Sequence, residues 1–123
     1  MPRFSDISLK RLQTCHPDLQ RVLRETIKHY DFAILCGFRD EEEQERCFHD
    51  GSSKLHWPAS RHNSFPSRAV DVAPYPVDWD NTKEFFYLAG MMIGIATGLG
   101  VGLTWGGSWK TFVDLPHLEL KNA

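Results

Sequence analysis

Residues 88–104 most restrict what this chain can fold into, because they carry no charged side chain and are rich in glycine, methionine, isoleucine and leucine. The segment is close to the shortest length that spans a bilayer, so it belongs either in a protein core or in a membrane. Gly98, Gly100 and Gly102 interrupt helical continuity before that length is reached. No basic cluster flanks the segment, as one commonly does beside a membrane span. The pattern therefore favours a buried core helix, with membrane association as the minor alternative.

The rest of the chain alternates helical and strand-like patterns within 123 residues, which is one domain's worth. The proline in residues 16–18 predicts a helix start, and Asp40, Glu43 and Gly51 predict a second helix with a capped beginning and a glycine end. A longer helix is expected from Asp80 or Asn81 to about Gly98. Four strands are predicted, at residues 32–38, 69–73, 102–105 and 118–121. The sum predicts one α+β domain over residues 1–123, with helices packed on a small, largely antiparallel sheet.

The charge balance and the cysteines exclude several classes of protein. The formal net charge is -2, whereas a general nucleic-acid binder needs an excess of Lys and Arg. The three cysteines, Cys15, Cys36 and Cys47, are scattered and form no CxxC pair. Free thiols are therefore expected, not a disulfide framework or a thiolate zinc site. The first residues contain no continuous apolar core, so no secretory signal is predicted.

A long polar segment leads into the residues that carry chemistry. Residues 51–68 are rich in Ser, Pro, His and Asn without periodicity, which predicts a long loop of the kind that often has a function. His62 lies in this loop, and Asp71 is the only charged residue of the strand that follows. A carboxylate between apolar neighbours must be paired or bound to a metal, because burying it alone is costly. Further along, Asp114 precedes His117 by three residues, just before the last predicted strand.

These residue types are those of a catalytic zinc site. Such a site needs three nitrogen or oxygen ligands and an open position for water, together with a free carboxylate that accepts a proton from that water. His62, Asp71 and His117 could supply the ligands, and Asp114 the base. On residue types alone, an ion pair and a capped loop remain the simpler explanation.

The order of these residues resembles the LAS metallopeptidases. That group includes D-alanyl-D-alanine dipeptidases and carboxypeptidases, phage L-alanyl-D-glutamate endopeptidases and the hedgehog signalling domain. The matching motifs are residues 37–39, Gln44, residues 51–54, residues 60–63, residues 66–71 and residues 114–119. The small phage endolysins are the most similar branch, and the resemblance covers roughly residues 32–120.

The resemblance implies a role for each matching position. It implies one Zn²⁺ per chain, held by His62, Asp71 and His117, with Asp114 as the general base. It implies that Arg39 stabilises the oxyanion of the tetrahedral intermediate, where a placed cation meets developing charge. It also implies that Ser60 and Gln44 bind substrate.

Three further features bear on the site. Trp105 begins the aromatic group at residues 105–109, which is interpreted either as a glycine turn with packed tryptophans or as a cleft wall that binds substrate. The usual HisxxGlyxAlaxAsp spacing is lengthened here by two residues between His62 and Asp71, which is expected to reshape the cleft. The base is Asp114 where the dipeptidase branch has Glu, and this favours the endopeptidase side.

The leading hypothesis is a monomeric zinc endopeptidase, an endolysin that hydrolyses the L-Ala–D-Glu bond of the peptidoglycan stem peptide. It is expected to stay in the host cytoplasm until lysis and then to degrade the cell wall, with neither a nucleic-acid partner nor stable membrane insertion. One alternative is a D-alanyl-D-alanine carboxypeptidase or dipeptidase. Another is a non-catalytic zinc-containing binding module, although Asp114 and Arg39 together argue against it. A membrane-embedded helper that uses residues 88–104 is the third.

Overall fold

The computed structural model describes residues 2–111 and 113–121, and in them helices pack on a four-stranded sheet. The helices are α1 (Asp6–Leu12), α2 (Pro17–Thr26), α3 (Glu41–Asp50) and α4 (Thr82–Gly98). The strands are β1 (Phe32–Cys36), β2 (Ala69–Pro74), β3 (Leu103–Trp105) and β4 (His117–Leu120). Short 3₁₀ turns lie at Arg61–Asn63 and Gly106–Ser108. The predicted α+β class is confirmed.

Local capping fixes the two helices that the sequence predicts most directly. The Nδ1 atom of His16 accepts a hydrogen bond from the Asp18 amide at 3.0 Å and begins α2. Asp40 accepts one from the Glu43 amide at 2.9 Å and begins α3. Gly51 ends α3 in the left-handed conformation, with φ 87°.

Two helix starts differ from the sequence expectation. The sequence patterns do not predict α1, although Ser5 caps it by accepting a hydrogen bond from the Ser8 amide at 3.1 Å. Asn81 stands directly before α4, but its side chain makes no capping hydrogen bond, so the predicted side-chain cap is wrong at this residue. Its ψ of 69° departs from the extended conformation in which a cap side chain reaches the first free amides.

Helix α4 contains the uncharged segment up to Gly98 and packs one face into the core. The buried residues of that face are Phe85, Leu88, Ala89, Met92 and Ala96. Around them lie buried side chains of α2 and the sheet, among them Val22, Leu23, Ile34, Val72 and Leu118. Within residues 2–111 and 113–121, no helix combines the length and apolarity that a membrane crossing requires.

The sheet has the order β1-β2-β4-β3, with every neighbouring pair antiparallel. Its register places Asp71 of β2 opposite His117 of β4 and opposite Cys36 of β1. The last strand begins at His117, one residue earlier than predicted, so His117 belongs to the sheet itself. Strand pairing thus joins two chemically active residues that lie far apart in the chain.

Candidate metal and catalytic site

Three side chains converge at this end of the sheet. His62, in the 3₁₀ turn, places Nε2 3.3 Å from Oδ1 of Asp71. The Nδ1 atom of His117 lies 3.2 Å from the same oxygen and 3.3 Å from Nε2 of His62. The structure therefore brings all three predicted metal ligands together as an almost equilateral triangle of donor atoms.

In each imidazole, the nitrogen that does not face Asp71 is bonded to a group that can only accept a hydrogen bond. Nδ1 of His62 donates to the carbonyl oxygen of Gly37 at 2.7 Å, and Nε2 of His117 donates to the Glu119 carboxylate at 2.8 Å. In the neutral imidazole the other nitrogen then carries the lone pair. Both rings therefore turn a lone pair toward Asp71, as metal-binding histidines with such partners do.

Without a bound cation, the same three groups form a cluster of opposite charges in which a protonated His62 donates to Asp71. Burial by itself would raise the pKa of Asp71, but the neighbouring His62 and His117 hold that pKa well below its usual range. Burial by itself would lower the pKa of His62, but the charge and hydrogen bond of Asp71 raise that pKa to about 10. The Asp71 carboxylate is thus ionised and is a ready partner for a cation.

The triangle has the dimensions of a zinc site. Ligand atoms about 2.0–2.2 Å from a tetrahedral zinc ion lie roughly 3.3–3.6 Å from one another, and the three donor pairs here are separated by 3.2–3.3 Å. The Cys36 thiol offers a donor atom within 4.8 Å of those of His62 and Asp71, and the Asp114 carboxylate offers one within 4.8 Å of those of Asp71 and His117. The sequence analysis left Cys36 as a free thiol, and the three cysteines, all within the described residues, form no disulfide.

Asp114 lies beside the triangle without being part of it. Its Oδ2 atom is 4.0 Å from Nδ1 of His117, and a quarter of its side chain is exposed. Burial and the charge of Asp71 raise the pKa of Asp114. A raised pKa moves a carboxyl group toward the range in which it both accepts and returns protons near neutral pH.

Arg39 lies within the site and is only 8% exposed. Its Nη1 atom donates to Oε1 of Gln44 at 3.0 Å, and its Nη2 atom lies 3.4 Å from Oδ2 of Asp71. The sequence alone allowed Arg39 to pair at the surface with the acidic residues 40–43, but its burial beside Asp71 places it at the site.

An open cavity of about 480 Å³ gives access to these groups. Its walls include all five predicted ligand and catalytic residues, His62, Asp71, His117, Asp114 and Arg39. Ser60 also lines it, while its hydroxyl oxygen accepts a hydrogen bond from the His62 amide at 3.2 Å. Ser60 therefore both borders the cavity and caps the turn that carries His62.

Two predicted substrate-binding residues lie elsewhere. Gln44 is fully buried, and its amide bonds Arg39, Asn63, Ser53 and the Leu55 carbonyl. Trp105 donates its indole N–H to the Leu115 carbonyl at 2.7 Å and is absent from the described cavity wall. Protein partners already occupy the polar groups of both side chains, and direct substrate contact by either residue stays a prediction. Gln44 positions Arg39, and Trp105 supports the loop before His117.

Two residues outside the predicted set of site residues also shape the site. Trp109, at the other end of the same aromatic group, lines the cavity, and its ring centroid is 5.0 Å from that of His117. Glu119 bonds His117 through one oxygen and Nε of Arg61 at 2.8 Å through the other. Glu119 lies two residues after His117 in the same strand, and this spacing is the only sign of its role in the local sequence.

Gly106 offers a test of how tightly the site is packed. A methyl group at Gly106 would overlap the Asp114 carbonyl oxygen and lie 3.0 Å from Cβ of His117. Gly106→Ala is expected to cost about 1–3 kcal/mol of stability, as overpacking does. It should also lower kcat/KM by roughly 10²-fold, because small displacements of catalytic groups are costly. Thermal unfolding and a hydrolysis assay measure both effects.

The control is Gly90→Ala on α4, where an added methyl group meets no atom within 4 Å. Alanine is the better helix former, so this variant should gain about 0.5–1 kcal/mol of stability and keep its activity. Unchanged activity in Gly106→Ala would show that the turn adapts without moving Asp114 or His117.

Comparison with known proteins gives matches to one family of peptidases. The family model described as phage L-alanyl-D-glutamate peptidase matches residues 1–121. The chain is 31% identical to the L-alanyl-D-glutamate peptidase of Escherichia phage T5, over 98% of this chain and 90% of that protein. The crystal structure of Serratia marcescens L-Ala D-Glu endopeptidase ChiX superposes with a TM-score of 0.83 at 33% identity, covering 97% of this chain and 90% of that one. The chain therefore belongs to the phage L-alanyl-D-glutamate peptidase family.

Proposed function

We propose that this protein is a zinc-dependent peptidoglycan endopeptidase that hydrolyses the L-Ala–D-Glu bond of the stem peptide. The observation that carries the proposal is the triangle of His62, Asp71 and His117, whose donor atoms lie 3.2–3.3 Å apart at an open cavity. The bond is inferred from the family and from the relatives, which are named for that specificity.

His62, Asp71 and His117 would hold the zinc ion. A zinc ion held there would lower the pKa of a bound water and polarise a carbonyl group. Gly37 and Glu119 fix the orientation of the two imidazoles by accepting their outer N–H groups, which keeps the ligand geometry before substrate arrives.

Asp114 and Arg39 perform the proton and charge steps. Asp114 accepts a proton from the attacking water while the oxygen of that water bonds to the L-Ala carbonyl carbon. The Arg39 guanidinium donates to the oxygen that becomes negative. When the C–N bond breaks, Asp114 returns the proton to the D-Glu nitrogen. The products are an L-Ala carboxylate and a free D-Glu amine.

Digestion of purified peptidoglycan followed by mass spectrometry tests this function. We expect each cut to add one water and to expose D-Glu as a new amino terminus. Release of D-Ala would instead indicate a carboxypeptidase or dipeptidase. Intact stems despite bound zinc would indicate a binding module.

The phage relatives also suggest where the enzyme acts. We propose that it works as a monomer, remains in the host cytoplasm until lysis and then degrades the cell wall. The similarity to a phage T5 peptidase over 98% of the chain supports the role in cell-wall degradation. Immunoblots of fractionated host cells before and after lysis would locate the protein, and light scattering would give its mass in solution.

Arg39→Lys tests the oxyanion role. The ammonium keeps the charge but lacks the planar set of donors that reaches Gln44 and the cavity together. We expect kcat to fall by roughly 10²-fold, as when one oxyanion donor is lost, while zinc content and Tm stay near wild type. Kinetics, metal analysis and thermal unfolding provide the three measurements.

Arg21→Lys is the matched control, because Arg21 forms an exposed ion pair with Asp18 at 3.6 Å. Such pairs contribute about 1 kcal/mol or less, so this variant should behave as wild type. If Arg39→Lys kept its activity and lost stability instead, Arg39 would be a structural residue.

A further inference from the structure

The chemistry of the proposed substrate places a sugar close to the site. In peptidoglycan, the L-Ala of the stem peptide is joined through a lactyl group to an amino sugar of the glycan strand. The L-Ala–D-Glu bond is therefore separated from that sugar by one residue and the lactyl group, roughly 7 Å of extended chain. An enzyme that cuts this bond must accommodate the sugar in the cavity or at its rim. This step rests on the proposed function.

Two aromatic side chains are present among the described residues that line the cavity, Trp79 and Trp109. Trp109 is partly buried and packs against the ring of His117, so it forms the wall beside the metal ligands. Trp79 is 58% exposed. Of the two rings, Trp79 has far more free surface for a ligand.

Trp79 is also held in a fixed orientation. Its ring stacks on that of Phe85, with centroids 5.4 Å apart and planes inclined by 18°. Phe85 lies in α4 and is only 2% exposed, so it belongs to the packed core. Trp79 therefore presents a flat apolar face whose position is set before any ligand binds, at little cost in side-chain entropy on binding.

We propose that Trp79 is a platform on which the amino sugar carrying the stem peptide stacks, so that the enzyme recognises the glycan as well as the peptide. One face of a pyranose ring consists of C–H groups that pack against an aromatic ring, while its hydroxyl groups stay in water. An exposed, supported aromatic ring that continues an active-site cavity has the shape and polarity for that contact.

Two soluble substrates test the proposal, the free stem peptide and the same peptide attached to its disaccharide. Wild-type enzyme should have the higher kcat/KM on the glycosylated peptide. The measured quantity is the kcat/KM on the glycosylated peptide divided by the kcat/KM on the free peptide. In Trp79→Ala this ratio should fall about tenfold, the size expected for one aromatic contact. Trp79→Phe keeps an aromatic face and should retain most of the wild-type ratio.

Tyr87→Ala is the matched control, because Tyr87 is 60% exposed, stacks on Tyr30 at 5.4 Å and is absent from the described cavity wall. This variant should keep the wild-type ratio. Equal kcat/KM values for the two substrates in wild type, or an unchanged ratio in Trp79→Ala, would overturn the proposal. So would an equal loss in Tyr87→Ala. Failure of wild type to cut either substrate between L-Ala and D-Glu would reject the proposed function itself.

Discussion

His62→Ala and His117→Ala should each lose most of the bound zinc. Each histidine supplies one corner of the ligand triangle, and its removal leaves only two protein donors 3.2–3.3 Å apart. A catalytic zinc site has three protein ligands, and two do not complete it. Hydrolysis should fall by at least ~10³-fold, because the metal contributes several kcal/mol to such reactions. Metal analysis of purified protein beside a peptidoglycan digestion measures both quantities.

His29→Ala is the control for these variants. His29 is an exposed residue that follows α2 and pairs with Glu25 at 3.1 Å, so its loss should leave zinc content and activity unchanged. Full zinc occupancy in both His62→Ala and His117→Ala would refute the ligand assignment.

Cys36, His62 and Asp71 form a second group that could hold a metal. The variant Cys36→Ser distinguishes that group from the assigned ligand set. Serine is a poor zinc ligand, so zinc loss in this variant together with zinc retention in His117→Ala would place the metal on the β1 side of Asp71. The assigned triangle predicts the reverse pattern.

Asp114→Asn should keep the zinc and lose turnover. Asn has nearly the same shape but accepts no proton, and removal of a general base typically costs about 10²–10⁴-fold. Asp114 lies 4.0 Å from His117 and outside the triangle, so the ligand atoms do not depend on it. Steady-state kinetics and metal analysis on the same preparation distinguish loss of the base from loss of the metal.

A near-normal rate in Asp114→Asn would move the base to another residue. Glu119 is the other carboxylate of the motif at residues 114–119, but its contacts make it a weak candidate. Both of its oxygens are engaged, one by His117 and one by Arg61. Glu119→Gln should therefore act on zinc affinity, by roughly 10–100-fold, as changes to the partners of metal-binding histidines do.

Several features of this protein could be predicted from short segments of the chain. The caps at His16 and Asp40 and the glycine end at Gly51 depend on hydrogen bonds between residues two to three positions apart, or on one residue's φ angle. The order of the motifs identified the family, because that order does not depend on the lengths of the loops between them. The residues that keep this order here are His62, Asp71, Asp114 and His117. The two extra residues between His62 and Asp71 are absorbed by the loop, and the three donor atoms still meet.

Other features depend on contacts between distant parts of the chain. Gln44 and Arg39 are five residues apart, but the burial of Gln44 follows from Ser53, Leu55 and Asn63 closing around it. The sequence pattern at residues 105–109 offered two tryptophans, and packing decided between them. Trp105 is held by the Leu115 carbonyl, while Trp109 faces the cavity.

The sequence by itself determined the α+β class and most helix and strand positions, and its resemblance to a known family supplied the proposed metal ligands, because capping, apolar periodicity and motif order are local or ordered properties of the chain. The tertiary structure alone decided that Asp71 stands opposite His117, that Gly37 and Glu119 orient the two imidazoles, and that Trp79 borders the cavity. Those relations arise when β2 pairs with β4 and when α4 packs Phe85 beneath Trp79. They depend on distances between residues far apart in the chain, which no local pattern specifies.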